Sequence, residues 1–164
     1  MIHVMKKQFS ISILLAVFIM SFSACSTVKN LPATVAGASR ARFVGVWQLN
    51  NISYEGLLPG GVQSIFDQAT PEQFNGSTWN LTNSGNGRYT LTDGISQTIF
   101  WSYDNKNGEV FQFKKLYQGD SARKVQDGYQ LIVGNIDGAN MTLKLPVSLG
   151  DKNAYIILSF QKAK

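Results

Sequence analysis

The stretch that decides the fold is Arg88-Tyr-Thr-Leu-Thr92, Asp93-Gly94, Ile95-Ser-Gln-Thr-Ile-Phe-Trp-Ser-Tyr103, Asn105-Lys-Asn-Gly108, Glu109-Val-Phe-Gln-Phe-Lys-Lys-Leu-Tyr117. Its three runs are rich in β-branched and aromatic residues and alternate in polarity, as half-buried strands do. The breaks between them carry Asp-Gly and Asn-x-x-Gly, the residues that adopt the positive φ of tight hairpin turns. Short connections between successive strands give antiparallel pairing. The pattern extends both ways. Upstream lie Phe43–Ser53 and Thr78–Thr82, with Ser84-Gly-Asn-Gly87 leading into Arg88; downstream lie Tyr129–Ile136, Met141–Val147 and Ala154–Lys162. The reading is all-β, with eight strands. Eight is the number at which an antiparallel up-and-down sheet closes into a barrel that side chains fill or that holds one small ligand. A sandwich of two four-stranded sheets is the alternative closure.

A two-residue period fixes which side chains share a face. Gly45, Trp47 and Leu49 fall together. So do Trp79 with Leu81, Tyr89 with Leu91, and Ile99 with Trp101 and Tyr103. Phe111 with Phe113, Met141 with Leu143 and Leu145, and Ile156 with Leu158 and Phe160 complete the inner face. One connection is long, Tyr54 to Ser77. Within it Val62, Ile65, Phe66 and Ala69 fall at i, i+3, i+4 and i+7, which predicts a short amphipathic helix. Thr70-Pro71-Glu72-Gln73 reads as a second helical start. Such a segment covers the barrel mouth, either as a lid or as a permanent plug.

Ahead of the barrel is a targeting segment. Lys6 and Lys7 precede an apolar run from Phe9 to Phe22, shorter than the about 20 residues of a membrane-spanning helix. Phe22-Ser23-Ala24-Cys25 follows and resembles the lipobox of bacterial lipoproteins. That resemblance implies a signal peptide over 1–24, cleavage before Cys25 and a lipid on the Cys25 sulfur. Residues 25–42, small and polar, read as a flexible tether, leaving 43–164 as the barrel domain. Ser26 behind the lipid-bearing position implies the outer membrane, with the protein facing the periplasm.

Composition excludes several classes of function. The 164 residues hold one His, His3, and one Cys, Cys25, both ahead of the barrel. Catalysis by Ser-His-Asp or Cys-His and the usual zinc sites are therefore not expected in the mature chain. The carboxylates Glu55, Asp67 and Glu72 lie in or beside the long connection. Asp93, Asp104, Asp120, Asp127, Asp137 and Asp151 fall mostly at turns. None is paired by spacing, so the expectation is no enzyme, no metal and no cofactor. Cleavage removes Lys6 and Lys7 from 15 bases and nothing from 10 acids, so net charge falls from +5 to +3. The basic pairs are scattered, which argues against nucleic acid as a partner.

Gly45-Val46-Trp47 at the head of the first strand, the long first connection and seven more strands joined mostly by tight turns resemble the lipocalins. More specifically, they resemble the lipocalin-like domain of bacterial envelope lipoproteins. In that family the Trp packs at the closed end under a basic residue from near the chain end, here Lys162. The resemblance implies a membrane-anchored binding protein for a small apolar or amphipathic molecule. Trp79, Trp101, Tyr103, Phe111 and Phe113 would line its site, with Leu57, Leu58 and Phe66 in the lid. The alternative is a non-catalytic structural or accessory lipoprotein with a solid barrel, docking an envelope protein partner.

Overall fold

The computed structural model describes residues 39–150 and 152–164. The expected signal peptide, Cys25 and the expected tether as far as residue 38 lie outside the described residues. Eight strands follow one another: β1 Gly45–Glu55, β2 Thr78–Leu81, β3 Asn86–Thr90, β4 Ser96–Asp104, β5 Val110–Leu116, β6 Tyr129–Ile136, β7 Asn140–Leu149 and β8 Lys152–Lys162. Each pairs antiparallel with the next, and β8 returns to β1, so one sheet closes in a ring. Closure leaves no unpaired sheet edge, and the two-sheet sandwich is not formed.

The alternation holds where the register is regular. Trp47, Leu49, Trp79, Leu81, Tyr89, Ile99, Trp101, Phe111, Phe113, Met141, Leu143, Ile156, Leu158 and Phe160 are all buried. Two bulges change its phase. In β1 the register slips between Leu49 and Asn51. Trp47 and Leu49 face inward before the slip, and Ile52 and Tyr54 pack on the core after it, opposite Leu158 and Ile156. In β6 a slip between Val133 and Asn135 moves the inward phase to Ile136, opposite Met141. One extra residue per bulge lets a long strand bend around the ring without turning a polar side chain inward.

The ring has two unlike ends. At the foot, Ser39 leads into one helical turn, α1, Arg40–Phe43, so the last expected tether residues are helical. Phe43 is fully buried there. Trp47 Nε1 donates to the Phe43 carbonyl at 2.8 Å, tying this turn to β1. Gly45 has φ 141°, and a Cβ there would lie 2.7 Å from Lys162 Cε. Only glycine lets the Lys162 stem cross here, and its ammonium stands 5.3 Å from the centre of the Trp47 ring.

At the mouth, β1 runs into the long connection. The helix expected over Val62–Ala69 is absent. Ile65 and Ala69 instead form an isolated bridge around a tight turn, with Gln68 N–H donating to the Ile65 carbonyl at 3.2 Å. Phe66 and Asp67, at its centre, have φ 54° and 48°. The apolar spacing that mimics a helix has another cause. Ile65, Phe66 and Ala69 are all buried, but a two-residue turn rather than a helical face carries them inward. The helical start at Thr70 does form. A single turn, α2, spans Pro71–Phe74, with Gln73 Oε1 accepting from the Thr70 N–H at 3.2 Å. A 3₁₀ turn, Pro59–Gly61, precedes both.

Candidate functional site

The interior is filled from both ends by aromatic rings. At the foot, the Phe43 ring lies 5.1 Å from Tyr103, 5.4 Å from Phe111 and 6.1 Å from Trp101. Trp101 stacks on Phe111 at 5.7 Å. The Arg40 guanidinium caps the Trp101 ring at 4.4 Å and donates to the Asn83 carbonyl. Arg42 reaches the Ile136 carbonyl at 3.2 Å. These bonds strap α1 across the foot.

At the mouth, Phe66 is the plug. Its ring sits 4.9 Å from Phe113, 5.1 Å from Tyr129, 5.4 Å from Phe74 and 6.0 Å from Trp79, all near edge-to-face. Trp79 stacks on Tyr89 at 4.7 Å and meets Phe160 at 5.6 Å. Polar latches hold the plug from outside. Lys115 Nζ and Tyr129 OH each donate to the Phe66 carbonyl at 2.8 Å. Tyr129 OH also lies 3.0 Å from Asp67 Oδ2, and Tyr89 OH donates to Gln68 Oε1. Burial pushes both phenols well above the ordinary tyrosine range. For Tyr129 the hydrogen bond to Asp67 adds to it.

The expected site residues thus fall into three groups. Trp79, Phe113 and Phe66 meet beneath the mouth. Trp101, Tyr103 and Phe111 meet around Phe43 at the foot, where Tyr103 OH donates to Glu109 at 3.1 Å. Leu57 and Leu58 join neither. Leu57 packs against the core and borders a groove of about 340 Å³ with Val62, Val147, Leu149 and Ile156. Leu58 is 82% exposed. Of the two roles foreseen for the long connection, it has the geometry of a plug.

A cavity at the described residues lies outside the ring, on the mouth rim. It measures about 490 Å³, and Asp67, Lys115, Tyr117, Asp120, Val125, Asp127, Gly128 and Tyr129 line it. It opens between the Phe66 turn and the connection from β5 to β6, residues 117–128. Sequence reasoning read the aspartates there as turn residues and passed over that connection. Its length, 12 residues where neighbouring turns need about four, was the available signal. No three His, Cys, Asp or Glu side chains gather into a metal-ligand set among the described residues. No helix among them is long and apolar enough to cross a membrane. Comparison with protein-family models, with curated proteins and with solved structures finds no match to this chain.

Proposed function

We propose that this chain is a non-catalytic lipoprotein of the bacterial envelope, held on the outer membrane through Cys25 and acting through its surface as a docking module for another envelope protein. The observation that carries this is the closure of the ring at both ends by its own side chains, Phe43 at the foot and Phe66 at the mouth. A ring filled in this way leaves the outer surface to do the work. Apolar side chains stand out at the mouth end, Leu58 and Leu149 among them. That is the end opposite the one where the chain enters at Ser39. The finer reading of the fold is a lipocalin-like barrel, supported by Gly45-Val46-Trp47 and by the Lys162 ammonium over the Trp47 ring.

Photo-crosslinking in intact cells from position 149, at the mouth end and outside the long connection, tests the docking role. One partner captured at a fixed ratio, and lost when residues 54–77 are replaced by a short turn, is the expected result. Crosslinks spread over many abundant proteins would count against it. The second reading is the small apolar or amphipathic ligand inside the ring. It is favoured by the backbone at Phe66, a bulky residue at φ 54°. That conformation costs about 1–2 kcal/mol, which displacement of the plug would relieve. Titration with fatty acids, followed by fluorescence of Trp79 beneath Phe66, separates the two readings. A saturable shift supports ligand binding, and an unchanged spectrum supports docking.

A further inference from the structure

We infer that the rim cavity between the Phe66 turn and the 117–128 connection is a saccharide-binding site. It is separate from the ring interior and from the apolar mouth surface proposed to dock a partner. Its volume of about 490 Å³ lies within the range of small-molecule clefts and leaves room for a mono- or disaccharide. Three properties of the lining select the ligand class. The first is an aromatic wall. Tyr117 is 63% exposed at the cavity edge. The apolar face of a sugar ring can lie against it.

The second property is a spread of strong acceptors. Asp67, Asp120 and Asp127 supply carboxylate oxygens around the cavity, and carboxylates accept hydroxyl protons more strongly than neutral groups do. Asp120 Oδ2 already accepts from the Tyr117 N–H at 2.8 Å, which fixes the aromatic wall to its neighbour. Asp67 is oriented by Tyr129 OH. These groups are dispersed rather than focused, and they form no metal-ligand set. That arrangement suits a ligand with several hydroxyls better than a single point charge.

The third property is the floor. The Lys115 ammonium lies 5.5 Å from the centre of the Tyr129 ring and donates to the Phe66 carbonyl. The cation-attracting face of Tyr129 is therefore already occupied by the chain's own amine, so an incoming organic cation would meet like charge there. Lys115 lines the cavity, and an ammonium has donors left over for a neutral, oxygen-rich ligand. Lys115, Tyr129 and Asp67 both latch the plug and line the cavity, so a sugar on the rim would bear directly on the Phe66 turn.

The test uses the full chain in a detergent without a sugar headgroup, titrated with maltose, cellobiose and chitobiose and followed by backbone amide NMR shifts. Saturable shifts at Tyr117, Asp127 and Gly128 with at least one disaccharide are expected. Tyr117→Ala should weaken that binding at least tenfold, Tyr117→Phe should retain most of it, and Asp127→Asn should weaken it severalfold. Undispersed spectra in Tyr117→Ala would mark misfolding, and Asp127→Asn then serves as the deciding variant. No saturable response to any of the three sugars overturns the inference. So does saturable binding of spermidine at these residues without a sugar response, or sugar binding unaffected by Tyr117→Ala and Asp127→Asn.

Discussion

Phe66 is the residue on which the mouth depends. Its ring is 3% exposed and touches four aromatic neighbours, while its backbone holds a positive φ that bulky residues avoid. Phe66→Ala should lower stability by about 3 kcal/mol, the scale for emptying an aromatic site, read as a lower urea midpoint at unchanged slope. Tyr89 and Tyr129 make a second prediction. Both phenols are pushed above their usual range by burial. The folded chain therefore keeps these protons when the unfolded chain, with tyrosines near pKa 10, has released them. Their contribution is complete below about pH 10 and is lost as pH rises beyond it. Thermal melts should hold level from pH 7 to 9 and fall above 10, and Tyr129→Phe should flatten that alkaline fall. The polarity of these residues was readable from the chain. Their role as latches was not, because Tyr129 and Phe66 are 63 positions apart and only closure of the ring brings them together.

Among the elements, the strands were legible and the long connections were not. A two-residue period and the Asp-Gly or Asn-Gly breaks are local signals, so β4, β5 and the turns around them follow directly from the chain. The bulges after Leu49 and Val133 left no such mark, since an extra residue in a strand has no preferred composition beyond Gly134. The Val62–Ala69 segment misled for a physical reason. Apolar residues at helical spacing also arise when a tight turn sends two neighbours into a core. Replacing residues 57–76 with Asn-Gly should uncover Trp79 and Phe113 while leaving the strands paired. Strong binding of the dye ANS at nearly unchanged far-UV circular dichroism is the expected reading; weak binding would mean that the ring closes its mouth without the plug. The connection over 117–128 was passed over because its aspartates and glycines look like those of any turn.

For the whole molecule, closure is the organising fact. β8 pairs with both β7 and β1 over most of its length. A chain ending at Leu149 should expose two sheet edges and self-associate, seen as early elution or precipitation where the full chain is monodisperse. Anchoring belongs to the same scale. Cys25→Ala should abolish labelled palmitate incorporation and move the protein to the soluble fraction; label retained in that variant would remove the lipoprotein reading. The foot has a mechanical consequence. The chain enters the ring through a stopper: Phe43 is in the core, Trp47 grips its carbonyl, Arg40 grips the turn between β2 and β3, and Arg42 grips the end of β6. Tension arriving from the N-terminal side is therefore not borne by a loose terminus. It is divided between an aromatic wedge and hydrogen bonds to separate parts of the sheet, so the load is shared before β1 begins to slide against β2 and β8.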